Sequence, residues 1–151
     1  MPRNGANETM TAKLFDLRDV RTIDLPRHAR NDGEVVIAES GDSVPFAIAR
    51  VFTVTAPREA ERGKHAHRLC SQFMICVHGT VDVVCDDGGN RRSFALDRSN
   101  LALLVPPTIW STLTYRYANS VVAVLCDRPY EKDDYVRDYA EFVAMRKALP
   151  Q

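Results

Sequence analysis

Arg62-Gly63-Lys64-His65-Ala66-His67-Arg68-Leu69-Cys70-Ser71-Gln72-Phe73-Met74-Ile75-Cys76-Val77-His78-Gly79 is the stretch that decides the reading of this 151-residue chain. Alternate side chains of a strand project to the same face, so His65 and His67 are expected to point together into one cavity. Gln72 then opens the apolar run Phe73 to Val77, which closes on His78 and the turn residue Gly79. The pattern predicts a strand, a bend, a second strand and a turn, with three polar side chains available to meet.

On either side, short apolar segments alternate with turn residues. Residues 1–11 are polar and read as a disordered tail, which leaves 12–151 as a single domain. Upstream, Ala12 to Leu25 suggests an edge strand, and Asn31-Asp32-Gly33 is a turn ahead of a strand from Glu34 to Glu39. Phe46 to Thr55 alternates, with Phe46, Ile48, Val51 and Val54 as core candidates, and Glu59 to Lys64 reads as a charged loop. Downstream, Thr80 to Cys85 and Arg91 to Leu96 flank a hairpin turn at Asp86-Asp87-Gly88-Gly89-Asn90. Leu101 to Val105 is a buried strand stopped by Pro106-Pro107, since proline cannot donate to a ladder. Ile109 to Tyr117 and Ser120 to Cys126 complete a set of roughly nine or ten short strands, which predicts an all-β sandwich or jelly roll. From Lys132 to Lys147 the period becomes helical, with Asp133 or Asp134 as cap and Tyr135, Tyr139 and Phe142 on a face packed against the barrel.

Composition narrows the function. Twenty basic residues balance twenty acidic ones, so no global field draws the chain to nucleic acid. No apolar run approaches the roughly 20 residues of a membrane span, and the N-terminus lacks the pattern of a secretory signal. Cys70, Cys76, Cys85 and Cys126 show no C-x-x-C spacing and fit reduced core thiols in a cytoplasmic protein. His28, in a polar loop, and His78, in the turn, are assigned no role.

The central stretch resembles the first motif of the cupin superfamily, in which H-x-H is followed by an acidic ligand and then by glycine. Gln72 stands at the acidic position and Gly79 at the glycine. Pro106 to Ser111 resembles the second motif, with Ser111 where a third metal-binding histidine would be. Two imidazoles, a neutral amide and a hydroxyl make a poor set for a divalent ion. The expectation is a cupin-type jelly roll with a C-terminal helix that holds no metal or other cofactor and uses its histidines for proton chemistry.

A closer resemblance follows from Arg62 to His67, the turn Asp86-Asp87-Gly88, Pro106 to Trp110, and Asp133-Asp134-Tyr135-Val136-Arg137-Asp138-Tyr139 taken together. Over about Asp32 to Phe142 the chain is similar to the WxcM-like nucleotide-sugar 3,4-ketoisomerases of bacterial deoxysugar pathways. The resemblance implies a dTDP-4-keto-6-deoxyhexose substrate, no metal, and a homodimer that exchanges N-terminal strands. It makes His65 the base that moves a proton between sugar C3 and C4 through an enediol, with His67 as its partner. Arg50 and Arg62 are candidates for pyrophosphate, because guanidinium matches phosphate oxygens bidentately. Trp110 is a candidate to stack on base or sugar, although core packing accounts for it equally. Gln72, Ser111 and Phe52 complete the expected binding residues. Three positions depart from the family: Asp32 replaces an arginine, Phe52 a tyrosine, and Ser111 an arginine or histidine. These departures leave a second reading open, a catalytically altered or silent nucleotide-sugar-binding cupin or a partner subunit.

Overall fold

Strand alternation in this chain is satisfied by two five-stranded antiparallel sheets packed face to face. The computed structural model describes residues 12–151; the stretch 1–11 read as a tail lies outside the described residues. In the first sheet, β1 (Arg21–Asp24), β9 (Leu101–Val105), β6 (Gln72–His78), β11 (Val121–Cys126) and β4 (Arg50–Thr55) lie side by side in that order. The second runs β12 (Tyr135–Val136), β5 (Glu61–His67), β10 (Trp110–Tyr115), β7 (Val81–Asp86), β8 (Arg91–Leu96). A separate hairpin pairs β2 (Arg27–Arg30) with β3 (Gly33–Val36), and the chain closes with helix α1 (Tyr139–Ala148). This is the expected all-β sandwich of jelly-roll type with a C-terminal helix.

The sheets meet over a core in which Met74 and Cys76 of β6 and Val122 and Val124 of β11 face Val83, Leu113 and Tyr115. The Tyr115 hydroxyl donates to the Val54 carbonyl at 3.2 Å, a polar tie between the layers. A continuous apolar run such as Phe73 to Cys76 implies a strand buried on both faces. That is what β6 is, because Phe73 and Ile75 pack on the opposite side with Leu25, Val44 and Leu125. Gly79 ends β6 at φ +82°, and a Cβ there would lie 2.8 Å from the Cα of Ser120. Only glycine fits this turn.

The structure corrects several boundaries. Within 12–25 only Arg21–Asp24 is a strand, and a 3-10 turn at Leu17–Asp19 precedes it. β1 pairs with β9 of the same chain, Arg21 opposite Leu104 through Asp24 opposite Leu101. β3 stops at Val36, and His28 sits on β2 rather than in a loop. β4 starts only at Arg50, and Val51 points outward, 59% exposed, because the inward positions of that strand are Phe52 and Val54. Phe46 and Ile48 pack in the cluster outside the first sheet. The charged segment before the histidines is already β5 from Glu61.

The largest correction lies before α1. Lys132–Asp134 is a 3-10 turn, Tyr135–Val136 is a strand, and the helix begins at Tyr139 with Asp138 as its cap, accepting from the Glu141 amide at 2.9 Å. Asp133 and Asp134 do not cap it. Tyr135 and Val136 instead pair with His67 and Ala66. Competition from the histidine strand overrides the helical period there.

Candidate active site

A cavity of about 380 Å³ lies between the sheets. It is walled by β4, β6 and β11 on one side and by β5, β10 and β12 on the other. A β-bulge shapes the second wall. Ser111 lies opposite His65 but Thr112 lies opposite Gly63, which leaves Lys64 as the extra residue, with positive φ at both Gly63 and Lys64. The bulge resets the alternation, so Arg62 shares a face with His65 although three positions separate them, and both line the cavity. At Gly63 a Cβ would meet the Ser111 carbonyl oxygen at 3.0 Å, so the close approach of β10 also favours glycine.

The two histidines meet, in different settings. Their ring centroids are 5.0 Å apart with the planes at 83°. His65 lines the cavity, and burial, followed by repulsion from His67, lowers its pKa to about 4. It is therefore a neutral imidazole at neutral pH, able to accept a proton. Its Nδ1 has no hydrogen-bond partner among the described residues. His67 is buried behind that wall and does not line the cavity. Its Nδ1 lies 2.7 Å from Asp134 Oδ2. An ionised carboxylate only accepts, so Nδ1 carries a proton, while Nε2 has no partner among the described residues. Burial pushes the Asp134 carboxyl up, but the bonds from His67 and from the Leu69 amide, at 2.7 Å, outweigh it and hold the group below the usual carboxylate range.

Tyr135 completes the cluster. Its ring lies 4.3 Å from His67 and 5.2 Å from His65, centroid to centroid, and it lines the cavity together with Arg137. The Arg137 guanidinium stacks on the Tyr135 ring at 4.6 Å. Asp134, Tyr135 and Arg137 were hidden from sequence reasoning by the helical period over the same residues. The signal that finds them is the two-residue spacing of Tyr135 and Arg137, which suits a strand.

Of the other expected site residues, Phe52, Arg62, Gln72 and Ser111 line the cavity. Trp110 does not. It neighbours the inward Ser111 on β10 and so faces the other way, packing at 5.3 Å on Tyr139 and 5.6 Å on Phe142 of α1. Arg50 also stands outside the wall, its guanidinium 5.5 Å from the Phe52 ring and 5.6 Å from the Tyr130 ring, donating to Cys126 Sγ at 3.5 Å.

The cupin metal position would draw on His65, His67, Gln72 and Ser111. With an amide and a hydroxyl in place of two strong donors, this set does not fit a tightly held divalent ion. His67, Cys70 and Asp134 bring donor atoms within 4.8 Å of one another behind the wall, but both Asp134 oxygens already accept hydrogen bonds. Among the described residues no helix is long and apolar enough to cross a membrane.

Comparison with known proteins gives a consistent result. The family model of the WxcM-like, C-terminal domain (FdtA) matches residues 18–147. A TDP-4-oxo-6-deoxy-alpha-D-glucose-3,4-oxoisomerase of Aneurinibacillus thermoaerophilus is 30% identical over 123 residues, 81% of this chain and 88% of the relative. Among solved structures, a 3,4-ketoisomerase from Helicobacter canadensis superposes with a TM-score of 0.82 at 28% identity, covering 85% of this chain and 98% of its own. A sugar 3,4-ketoisomerase from Thermoanaerobacterium thermosaccharolyticum in complex with TDP gives 0.84 at 26% identity, covering 87% and 97%. With its sandwich, its histidine pair and a matched span that covers nearly all of the described residues, the chain belongs to the WxcM-like, C-terminal (FdtA) family.

Proposed function

We propose that this protein is a sugar 3,4-ketoisomerase that moves the carbonyl of a TDP-linked 4-keto-6-deoxyhexose from C4 to C3. The observation that carries this reading is His65, a neutral imidazole in the wall of a cavity between the sheets, in a chain of this family. Such a group takes the proton from C3, and the electron pair enters the C3–C4 bond as the C4 oxygen gains a proton, giving an enediol. The C3 hydroxyl then gives up its proton to form the new carbonyl while the same group returns a proton to C4. His67, locked by Asp134, holds the facing ring in place. Arg62 and Arg137 give the cavity its positive charge, while Glu61 is offset by Lys64 at 3.0 Å. That balance suits a pyrophosphate. Gln72, Ser111 and Phe52 shape the remaining wall.

The donor set supports a reaction that needs no metal, and nucleotide-linked substrates place it in the cytoplasm, supplying deoxysugars to lipopolysaccharide-type glycans. The β2–β3 hairpin leaves Val35 58% exposed, and Ile37 beyond it is also exposed. A second copy of the chain covering this hairpin accounts for that apolar edge and makes the protein a homodimer. Incubation with TDP-4-keto-6-deoxyglucose, followed by NMR, tests the activity: the expected product is the 3-keto isomer. A protein that binds TDP yet converts no keto sugar would be the silent binding cupin instead.

A further inference from the structure

We propose that the Tyr135 hydroxyl is the oxygen-side proton shuttle of this site, supplying from β12 the phenol that Phe52 cannot offer from β4. This rests on the ketoisomerase reading. Moving a carbonyl between neighbouring carbons transfers two protons, one between carbons and one between oxygens. His65 can serve the carbons. The oxygens need a second group that donates to the C4 carbonyl and accepts from the C3 hydroxyl.

The cavity wall narrows the choice. Among its hydroxyls, that of Tyr115 is spent on the Val54 carbonyl, and Ser111 is almost fully buried. Arg62 and Arg137 donate hydrogen bonds but stay protonated at working pH. Gln72 does not titrate. Glu61 faces Lys64. Tyr135 alone in the wall combines a titratable hydroxyl with direct packing on both imidazole rings, at 5.2 and 4.3 Å, and has no acceptor for its proton among the described residues. Burial raises its pKa, against a hydrogen bond and charge from Arg50, so the phenol is protonated when substrate arrives. Arg50, outside the wall, then acts as a positioning residue for that oxygen, and Arg137 on the ring face steadies the phenolate that forms.

The protons and electrons balance. His65 removes the C3 proton, the pair forms the C3–C4 double bond, and the C4 oxygen takes the Tyr135 proton. The phenolate then takes the proton of the C3 hydroxyl, whose electrons form the C3 carbonyl, as the double-bond pair takes the proton from His65 at C4. Both side chains return to their starting states.

Y135F keeps the ring that packs on the histidines and removes only the oxygen. With TDP-4-keto-6-deoxyglucose as substrate, we expect kcat to fall about 10²–10⁴-fold with KM changed less than about threefold, and the unfolding midpoint to stay at the wild-type value. A Y135F kcat within about threefold of wild type overturns the assignment, as does a loss in which kcat, KM and unfolding midpoint move together, the mark of a structural role. Wild type is run alongside. If it converts no keto sugar, the ketoisomerase reading falls and the shuttle falls with it. If it is active and Y135F equals it, only the shuttle falls.

Discussion

Removing the Asp134 carboxylate tests whether His67 is a fixed partner or merely a packed ring. Asp134 and His67 are both buried, and the carboxylate accepts from His67 Nδ1 and from the Leu69 amide at 2.7 Å each. Hydrogen bonds to a buried charge contribute about 1.5–3 kcal/mol each, and breaking a buried pair by deleting one partner costs about 3–5 kcal/mol. Asp134→Ala leaves one buried donor, His67 Nδ1, and one part-buried donor, the Leu69 amide, unpaired, so its cost should be about 4 kcal/mol. For a domain of this size that lowers Tm by about 8–16 °C. The contribution has a defined pH window. A carboxyl held below its ordinary value stabilises the fold above that value and loses the effect as pH falls through the folded-state pKa, so the gap between variant and wild type should close in acid. Urea unfolding should show the loss as a lower midpoint at unchanged slope. In the double variant Asp134→Ala/His67→Phe, which removes both partners, the cost should be less than the sum of the single variants by about 1–3 kcal/mol. A single-variant cost below about 1 kcal/mol, or strict additivity in the cycle, would refute the buried dyad.

Two further outcomes follow. Because His65 titrates near pH 4, turnover should stay level as pH falls through 6.5 and drop only toward pH 4–5; the same group should make the fold lose stability across that window, since the unfolded chain takes up the proton first. A pH profile of kcat/KM with its acid limb at 6.5 would contradict this. Gly79→Ala puts a methyl against the Ser120 backbone at a left-handed φ, and should cost about 2–4 kcal/mol in urea unfolding while leaving the cavity residues in place.

The sandwich was legible because its strands carry strong signals: alternation in β4 and β10, the apolar run of β6, and turns at Gly79 and Asp86 to Asn90. His65, Gln72 and Ser111 were legible as cavity residues from the motifs, Phe52 from the family resemblance, and Arg62 from its fitness for pyrophosphate. What the chain concealed came from competition between periods and from one extra residue. Tyr135, Tyr139 and Phe142 fit a helix, yet the free edge of β5 captures Tyr135 and Val136 into its ladder, which brings Asp134 onto His67. Trp110 follows from alternation once Ser111 is known to face inward. The bulge at Lys64 could not be read in advance, because positive φ at a lysine has no compositional signature.

The most direct test of the account is conversion of TDP-4-keto-6-deoxyglucose in D₂O by wild type and by His65→Asn. NMR of the product reports both the position of the carbonyl and any deuterium at C4. The account predicts a 3-keto product bearing deuterium at C4 for wild type. For His65→Asn it predicts turnover slower by about 10²–10⁴-fold, with TDP affinity nearly unchanged. Turnover by His65→Asn within about tenfold of wild type would contradict the claim that this imidazole carries the proton.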